Sequence, residues 1–512
     1  MNENLYYYHS PQEREAQTID VDICIYGGNA AGVIAAVQAA RDGHSVAVVE
    51  PGGHLGGLTA GGLSATDIGN KDAIGGLSRE LYRAFGKHYG VEEEWHFEPS
   101  VAEETLKAWV AQNGIPVYFR HFLDTVALDG KKIVSITTES GLTVQARIFI
   151  DCSYEGDLMA KSGVSYHVGR ESNDVYGETL NGVQHRDAHQ FQHPVDPYVV
   201  PGDPSSGLLP GIDPVGPIPN GTGDHRVQAY NFRLCLTKRP DNLIPWEKPG
   251  GYDPRDYELL ARYYAIDHSE VYGMYDAIRG DKVDKNNHGA VSTDFIGGNW
   301  LYPDAGYAAR ETIFQAHVRW QKGLFWFLAT DERVPAEARK WVNSWGLAKD
   351  EFVETGGWPH QLYIREARRM VSDYVSTDAD CRHLRRPDDS VGLAAYNMDS
   401  HNCRRFAIDG RVRNEGDVQV APTGPYPISY RSIVPRATEC ANLLVPVCMA
   451  ASHIAYGSIR MEPVFIILGQ SAAVAASVAL ADGVDAVQSI SYARLRSRLE
   501  QAGQVLDWPA AK

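Results

Sequence analysis

Residues 24–63 decide the fold of this 512-residue chain; they read CIYGGNAAGVIAAVQAARDGHSVAVVEPGGHLGGLTAGGL. The run that leads into them, Ile19 to Tyr26, is apolar and β-branched, as expected of a buried strand in a parallel sheet. A glycine-rich turn comes next, and then an alanine-rich helical segment that Gly43 ends. The apolar segment closing on Glu50 predicts a second buried strand. We therefore predict a βαβ unit that opens an α/β fold.

The turn between the first strand and the helix predicts nucleotide binding. In such a unit one glycine makes the tight turn, a second lets the backbone approach a pyrophosphate, and a third lets helix and strand pack closely. Asn29 stands at the middle-glycine position, and we expect it to be tolerated because asparagine adopts left-handed backbone more readily than most residues. Glu50 is placed to accept hydrogen bonds from a ribose diol. A glycine-rich turn of an ordinary α/β domain is the alternative.

A second set of glycines, between Gly52 and Gly62, indicates FAD rather than a nicotinamide dinucleotide. The first βαβ unit already serves the adenosine half of either cofactor. An extended flavin dinucleotide also needs backbone without side chains along its ribityl chain and ring. No second GxGxxG follows a strand, so we expect no separate NAD(P)H domain. Oxygen, a quinone or a carrier protein stay open as electron acceptor.

Three further stretches carry a family resemblance: RIFIDCSYEGDLMAKSGV (Arg147 to Val164), YIREARRMVSDYV (Tyr363 to Val375) and SHIAYGSIRMEPVFIILGQSAAVAASVAL (Ser452 to Leu480). Together with residues 26–63 they resemble the FAD-dependent oxidoreductase family of glutathione-reductase-like flavoproteins, which is related to the fumarate reductase and succinate dehydrogenase flavoprotein subunits. The resemblance implies a Rossmann-like FAD-binding domain with a parallel sheet and an inserted mixed α+β substrate or cap domain. It implies cofactor and fold better than substrate.

The last of these stretches predicts a slim helix that closes the cofactor site. Pro463 suits a first helical turn, and the small side chains that follow would let the helix approach a flat ring. The resemblance implies that the N-terminus of this helix points at the flavin, where its dipole would stabilise negative charge on the reduced ring. A helix whose small residues serve packing alone is the alternative.

The cofactor contacts predicted from the two glycine sets and the resemblance are Gly27, Gly28, Ala31, Gly32, Glu50, Pro51, Gly56, Gly57, Gly61, Val126, Cys152, Ser153, Gly156, Asp157, Pro463, Gly469, Gln470, Ser471 and Ala472.

The predicted layout is a discontinuous FAD-binding domain with an inserted cap. An N-terminal tail (1–18) precedes the first part of the FAD-binding domain (19–164), the substrate or cap domain follows (165–410), and the second part with its closing helix ends the chain (411–512). Long irregular connections such as those in the first half of the cap are typical of functional covers. We expect the active site between cap and FAD-binding domain.

Histidine is the natural proton carrier near neutral pH, and His401 and His453 stand beside the family-like motifs. Arginine offers fixed donors to substrate oxygens or to negative charge near a flavin, and among several candidates we favour Arg368 and Arg431. A purely structural role is the alternative for each of the four.

Further candidates for the chemistry are Tyr430 and Tyr456, as weaker proton carriers, and Arg365, Arg369 and Arg460, as other arginines near the motifs.

Two further histidine patterns concern cofactor attachment and metal binding. His54 lies close to the position where some relatives attach FAD covalently, although a noncovalent, packed role is expected. His185, His189 and His193 would share one face of a helix and could hold zinc. Their proline-bounded, loop-like context argues against a helix, so we predict no metal site.

The composition narrows partners and compartment. A net charge of -17 argues against binding along nucleic-acid phosphates and favours small molecules. Seven scattered cysteines without CxxC spacing suggest a reducing compartment, and the polar N-terminus has no signal-peptide pattern; we expect a cytoplasmic protein. Residues 464–481 are uncharged but contain Gly, Gln and Ser and lack a basic flank, which favours a buried helix over a membrane span.

The sequence thus predicts an FAD-dependent oxidoreductase that transfers hydride between flavin N5 and a small polar organic substrate. The abundant Tyr and Trp residues of the cap are compatible with a sugar or other polyhydroxylated ligand. A flavin-containing lyase or isomerase without net redox change, or a non-catalytic FAD-binding protein, are the alternatives. The oligomeric state and the direction of the reaction stay open.

Overall fold

Two β-sheets and several two-stranded ribbons organise the structure, a computed structural model that describes residues 5–11, 15–267 and 275–509. The strands are β1 Gln17–Tyr26, β2 Val46–Glu50, β3 Val117–Phe119, β4 Leu123–Asp129, β5 Lys132–Thr138, β6 Leu142–Asp151, β7 Tyr166–Val168, β8 Leu234–Thr237, β9 Leu243–Ile244, β10 Tyr275–Ile278, β11 Lys282–Lys285, β12 Gly346–Ala348, β13 Arg368–Met370, β14 Ser390–Ala394, β15 Met398–Ser400, β16 Arg404–Ile408, β17 Arg411–Glu415, β18 Val418–Val420, β19 Tyr426–Ser429 and β20 Leu443–Leu444. The helices are α1 Ala30–Arg41, α2 Gly57–Ala60, α3 Gly76–His88, α4 Pro99–Gln112, α5 Asp157–Lys161, α6 Asn173–Tyr176, α7 Glu258–Tyr264, α8 Tyr307–Thr330, α9 Ala336–Asn343, α10 Asp378–Cys381, α11 His453–Ile459, α12 Glu462–Asp482 and α13 Tyr492–Gln501.

The largest sheet confirms the predicted Rossmann-like arrangement. Its order is β3-β2-β1-β6-β5-β4, and β20 also pairs with β6. The pairs β1–β2, β1–β6, β2–β3 and β6–β20 are parallel, whereas β4, β5 and β6 form an antiparallel meander. The second half of β1 is buried on both faces, which explains its unbroken apolar sequence. The carboxyl ends of the parallel strands therefore meet at one edge, where ligands bind in such sheets.

Asn29 caps α1 instead of adopting left-handed backbone, so that expectation was wrong. Its φ is -64°, its side chain accepts a hydrogen bond from the Gly32 N–H at 2.9 Å, and its amide donates to the Cys152 carbonyl. The left-handed residue of the turn is Gly27, with φ of 100°. An N-cap position has extended backbone and favours Asn, which is why the sequence needs no glycine there.

Helix α12 is a central core helix that packs along α1. A Cβ on Gly469 would stand 2.3 Å from the Ala31 carbonyl oxygen, so glycine permits the close approach of the two helices. By length and composition alone α12 could cross a membrane, yet 89% of its most apolar window is buried inside the protein. This is the packing expected of a core helix.

A mixed α+β region is inserted between β6 and β20. Its antiparallel sheet has the order β10-β11-β8-β12-β9, and α8 and α9 pack against each other beside it. Trp320 lies in α8, and a short break separates α8 from α9. The predicted boundary after residue 410 falls in the turn that joins the paired strands β16 and β17. The domain boundaries stay predictions.

Candidate cofactor and substrate site

A cavity of about 670 Å³ opens at the carboxyl ends of β1, β2 and β6. Its volume lies within the range of about 300–1,000 Å³ that is typical of small-molecule sites. The predicted cofactor contacts that line it are Gly27, Glu50, Pro51, Gly57, Cys152, Ser153 and Asp157. The structure therefore brings together residues from both glycine sets and from the segment after β6. We call this space the cofactor cavity.

Glu50 presents a partly buried carboxylate to the cofactor cavity. Its side-chain oxygens accept hydrogen bonds from the backbone N–H groups of Gly28 and Gly52. Burial raises the pKa of Glu50 to about 7, although these two donors favour the charged form. Each carboxylate oxygen can accept a further hydrogen bond, so Glu50 can bind a hydroxyl group of a ribose.

Two glycines give the cavity walls made of backbone alone. Gly57 has φ of 53°, and a Cβ there would stand 2.5 Å from Tyr154 Oη and 2.6 Å from Asn29 Cβ. Gly27 has φ of 100°, and a Cβ there would stand 2.7 Å from Ser153 N. Both positions combine left-handed backbone with close neighbours, so only glycine fits. At Gly27 and Gly57, which we call the glycine cradle, the wall is backbone alone and leaves the space that an extended dinucleotide requires.

His54 and His360 form a stacked pair in the wall of the cofactor cavity, with ring centroids 3.8 Å apart and an interplanar angle of 10°. Nδ1 of His54 lies 3.1 Å from Glu103 Oε1. Burial and the neighbouring His54 lower the pKa of His360 to about 3, so this ring is neutral. Its buried Nε2 has no hydrogen-bond partner among the described residues and is available to a bound group. Covalent attachment through His54 stays a hypothesis.

The glycine cradle, the Glu50 carboxylate and the unpartnered His360 nitrogen together fit FAD. The first turn of α1 begins at the cavity beside Gly27 and Asn29, where its N–H groups favour a pyrophosphate. Glu50 would hold the ribose next to it. Gly57 and Tyr154 follow along the wall, in the direction of the second glycine set.

The other predicted cofactor contacts do not line the cofactor cavity: Gly28, Ala31, Gly32, Gly56, Gly61, Val126, Gly156, Pro463, Gly469, Gln470, Ser471 and Ala472. Several have internal partners. Gln470 accepts a hydrogen bond from Leu77 N at 2.9 Å, and the Ser471 hydroxyl donates to the Val391 carbonyl at 2.6 Å. On α12 these residues contact other helices and strands of the protein, because the helix is buried on all sides. Their cofactor role stays a prediction.

Sequence analysis missed the N-terminal segment 5–11, which forms part of the cavity wall through Tyr6, Tyr7, His9, Ser10 and Pro11. The Glu311 carboxylate accepts the N–H groups of Tyr7 and Tyr8 at 2.6 and 2.9 Å. The Tyr7 ring meets Phe122 edge-on at 5.6 Å. Three consecutive tyrosines are unusual in a solvated tail and were the available signal.

Arg368 supports a carboxylate of the cavity wall. Asp157 receives two hydrogen bonds from Arg310, at 2.6 and 2.9 Å, and one from Arg368 at 2.7 Å. Burial alone would raise the pKa of Asp157, but the two guanidinium groups outweigh burial and lower it. Arg368 itself is not part of the wall. Its contact with Asp157 indicates a supporting position beside the cofactor.

Two of the remaining candidates are surrounded by protein contacts away from the cofactor cavity. Arg431 is partly exposed and pairs with Asp389 at 2.9 Å and Asp388 at 2.6 Å. The Tyr430 hydroxyl donates to the Val487 carbonyl at 2.8 Å. The structure thus does not bring Arg431 or Tyr430 to the cavity wall.

His453 lies in a buried chain of hydrogen bonds. Its Nε2 is 2.9 Å from the Ser400 hydroxyl, and its Nδ1 is 2.7 Å from Glu366 Oε2. Glu366 also pairs with Arg369 at 2.8 Å. Both ring nitrogens are therefore occupied by protein groups, and the side chain is 2% exposed. Nearby, the Tyr456 hydroxyl donates to a backbone carbonyl at 3.2 Å.

His401 belongs to a buried group of charged side chains that we call the Arg365 cluster: Asp294, Arg365, Asp399, His401 and Arg460. His401 Nδ1 lies 2.7 Å from Asp294 and its Nε2 lies 3.3 Å from Asp399. Arg365 pairs with Asp294 at 3.0 Å, and Arg460 pairs with Asp399 at 2.8 Å. Burial opposes ionisation of Asp399, but His401 and Arg460 outweigh it and lower its pKa to about 2.

The Arg365 cluster has more donors than the described protein groups satisfy. Nε and Nη2 of Arg365 and Nε of Arg460 are buried and have no hydrogen-bond partner among the described residues. Burial lowers the pKa of Arg365. A buried donor without a partner costs about 1–3 kcal/mol, and more when it is charged. The cluster thus contains donors that a hydrogen-bond acceptor would satisfy, although these atoms are enclosed by protein and neither arginine lines the cofactor cavity.

Tyr363 connects the Arg365 cluster with the cofactor cavity. Arg460 donates to its hydroxyl at 2.7 Å, and the Arg365 guanidinium carbon lies 4.3 Å from its ring centroid. The two preceding residues, Gln361 and Leu362, line the cofactor cavity. The Arg365 cluster, which contains His401, is therefore connected to the cofactor cavity through the segment 361–363.

The three histidines considered for zinc do not form a stripe, because the segment that contains them is not helical. His185 contacts the Ile218 carbonyl at 2.8 Å, His189 pairs with Asp417, and His193 lies 3.2 Å from Asp267. Each ring thus has its own partner.

Comparison with known proteins gives one extensive match. A sequence model of the family described as FAD dependent oxidoreductase matches residues 22–499. Among curated proteins, none is similar enough in sequence to count as a match.

Solved structures share local similarity with the chain. THI4 from Thermovibrio ammonificans is 20% identical over 30% of this chain and 66% of its own, with a TM-score of 0.22. The 3-ketosteroid-Δ4-(5α)-dehydrogenase from Rhodococcus jostii RHA1 is 16% identical over 30% of this chain and 51% of its own, with a TM-score of 0.21. L-amino acid deaminase from Proteus vulgaris is 13% identical over 31% of this chain and 55% of its own, with a TM-score of 0.25. The chain thus spans 51–66% of the length of these proteins, and similarity at this level supports no inference about substrate.

Proposed function

Because the chain belongs to the family of FAD-dependent oxidoreductases, we propose that it transfers hydride between FAD and a small polar organic substrate that carries hydroxyl groups. FAD, when bound, supplies the hydride chemistry at its N5. The chain holds the cofactor with the backbone at Gly27 and Gly57 and with the Glu50 carboxylate. The remaining tasks of the protein are to orient the substrate and to move one proton.

The observation that carries this proposal is the set of unpartnered donors in the Arg365 cluster. A guanidinium offers donors in a fixed plane, which suits hydroxyl, carbonyl or carboxylate oxygens. Among the described residues, two such donor atoms of Arg365 and one of Arg460 have no hydrogen-bond partner. An apolar substrate would leave them without partners, at a cost of several kcal/mol. A polar substrate that accepts these hydrogen bonds is therefore favoured.

We assign proton transfer to His401 rather than His453. His453 is held at both ring nitrogens by Ser400 and Glu366 in a buried chain. His401 is 12% exposed and lies between two carboxylates, of which Asp399 is the more distant at 3.3 Å. A short contact at Nδ1 and a longer one at Nε2 orient the ring and leave Nε2 the more available nitrogen. Asp294 acts as the positioning residue for the ring.

Anaerobic mixing of the FAD-loaded protein with candidate substrates tests the proposal. Sugars, hydroxy acids and other polyols are screened, and the visible flavin absorbance is recorded. We expect at least one compound to bleach the flavin, and admission of oxygen or a quinone to restore the absorbance. Product formation with unchanged flavin absorbance would contradict hydride transfer and establish a lyase or isomerase. Chemical reduction by dithionite is the positive control.

A further inference from the structure

A second cavity, of about 330 Å³, lies within the inserted α+β region. It is enclosed by the loop 210–214, by the segment 295–300, by Ala316, Arg319 and Trp320 of α8, and by Arg405 of β16. None of its described lining residues belongs to the cofactor cavity. We call it the cap cavity. Nothing in the proposed function requires it, so its lining calls for a separate explanation.

Arg405 is a buried cation without a carboxylate partner in the described part of the chain. It is 4% exposed, its Nε donates to Asn414 Oδ1 at 2.9 Å, and its Nη2 donates to the Ala290 carbonyl at 2.9 Å. Its third nitrogen, Nη1, makes no hydrogen bond to a described residue. Nη1 lies 3.8 Å from the position of a Cβ on Gly211, which also lines the cap cavity. Arg405 therefore offers one charged donor group to the cavity, and Arg319, an exposed arginine of α8, also lines it.

The acids in the cavity wall do not neutralise Arg405. Asp213 pairs with Arg226 at 2.6 Å and with Arg404 at 3.3 Å. Burial raises the pKa of Asp256, the other acid of the wall. Burial also lowers the pKa of Arg405 to about 10, and no charged neighbour opposes this shift. Arg405 is thus charged at neutral pH, and an anion in the cavity would offset the cost of burying it.

Aromatic rings form the apolar part of the cap cavity. The rings of Phe295 and Trp320 stack with centroids 4.9 Å apart and an interplanar angle of 10°. The Trp300 indole is fixed by a hydrogen bond from its Nε1 to the Cys403 carbonyl at 2.8 Å. The walls are therefore rigid and flat. They suit a planar apolar group better than a flexible or strongly hydrated one.

We propose that the cap cavity is a binding site for a small organic carboxylate on a flat apolar body, with the carboxylate on Arg405 and the body against Trp300 and Phe295. A carboxylate oxygen can accept a charge-assisted hydrogen bond from the guanidinium nitrogen Nη1, which Asn414 and Ala290 leave unused. The site is separate from the cofactor cavity, so the proposal does not depend on the substrate of the flavin reaction.

Titration of the FAD-loaded protein with benzoate, followed by ligand-observed NMR and calorimetry, tests this proposal. Benzamide is the neutral probe of the same shape. We expect benzoate to bind at least about ten-fold more tightly than benzamide, because a hydrogen bond to a charged group adds affinity that a neutral one lacks. Equal binding of the two probes would overturn the proposal.

Two variants locate the binding. Arg405→Met should weaken benzoate binding by about ten-fold or more. Ala316→Phe should abolish binding by filling the cap cavity while Arg405 is kept, so the test stands even where the first variant folds poorly. Ala309→Phe, at an exposed position of the same helix, is the matched control and should bind benzoate like the unchanged protein. Unchanged benzoate binding by Ala316→Phe would show that the anion binds elsewhere and would overturn the proposal.

Discussion

The cofactor cavity and the Arg365 cluster adjoin each other, yet they are built from different parts of the chain. The glycine cradle of the cavity, Gly27 and Gly57, and the Glu50 carboxylate come from one short stretch of sequence, whereas other wall residues such as Asp157 come from elsewhere in the chain. The cluster is assembled from charged side chains of several separate elements around Arg365. Under the proposed function, the cofactor cavity depends on backbone that carries no side chains, whereas the Arg365 cluster depends on charges that balance one another.

Because of this difference, the two regions should be sensitive to different substitutions. A backbone wall is damaged when a side chain is added, because close-packed neighbours have no room to move. A buried charge cluster is damaged when one partner is removed, because the remaining charge stays desolvated. Variants of the two regions should therefore fail in distinguishable assays: cofactor content for the first and reaction rate for the second.

The largest effect is expected from His401→Gln in the Arg365 cluster. Glutamine can keep a hydrogen bond to Asp294 but cannot carry a proton near neutral pH, so the rate of flavin reduction by a substrate from the anaerobic screen should fall by about 10²–10⁴-fold. Cofactor content should not change. The measurement is stopped-flow absorbance of flavin reduction.

His88→Gln serves as the control for this variant, because His88 is exposed at the end of α3. It should react at the rate of the unchanged protein. An unaltered rate in His401→Gln would exclude His401 as the proton carrier.

Gly57→Ala tests the backbone wall and should lower FAD affinity by about 100-fold. The added Cβ would stand 2.5 Å from Tyr154 Oη and 2.6 Å from Asn29 Cβ, within the cofactor cavity. Overpacking of this kind costs about 1–3 kcal/mol. FAD affinity is measured by fluorescence quenching on titration of the flavin-free protein.

Gly130→Ala is a matched control, because Gly130 has a similar φ of 59° but no neighbour within 4 Å. It shares the left-handed strain of about 1 kcal/mol without a clash. We expect it to lower stability slightly and to bind FAD normally. Equal loss of FAD in both variants would attribute the effect to strain rather than to the cavity.

Glu462, at the start of α12, accepts hydrogen bonds from the hydroxyls of Tyr154 in the cavity wall and of Thr59. Burial raises the pKa of Glu462 from its ordinary value of 4.5 to about 7, although the two hydroxyl donors favour the charged form. The folded state therefore binds more protons than the unfolded state between these two pH values. This carboxyl group consequently lowers the free energy of unfolding as the pH rises from 4.5 to 7.

Glu462→Gln removes this dependence. Relative to the unchanged protein, the variant should gain about 3 kcal/mol in the free energy of unfolding between acidic and mildly alkaline pH. Urea unfolding of the flavin-free proteins at a series of pH values measures the difference. Glu80→Gln, at a surface carboxylate that is 52% exposed, should show no such change with pH. A constant difference between Glu462→Gln and the unchanged protein would refute the assignment.

The smallest effect is expected from Glu311→Ala, which releases the N-terminal segment 5–11 from α8. The variant loses the acceptor of the Tyr7 and Tyr8 N–H groups. Since a hydrogen bond contributes about 1 kcal/mol, FAD should dissociate about three- to ten-fold faster. Dissociation is followed by the recovery of flavin fluorescence. Glu337→Ala, at an exposed position of α9, is the control, and equal dissociation rates would show that the segment does not retain the cofactor.

Local patterns alone were enough to determine the βαβ unit, the apolar helix α12 and the glycine cradle. The spacing of apolar residues and the need for positive φ depend on residues that are close in sequence, so both can be recognised from the sequence alone. The same reasoning misread Asn29, because capping and left-handed backbone favour the same residue type and only the dihedral angles distinguish them.

The tertiary structure decided what the sequence left open. Which residues of α12 face α1 depends on how the two helices pack. Gly469 is an example, because it lies against the Ala31 carbonyl of α1. The N-terminal tyrosines belong to the cavity wall because Glu311, far along the chain, accepts their backbone N–H groups. The balance of charges around Arg365 arises only when distant elements exclude water together, since neither burial nor pairing is a property of one position in the sequence.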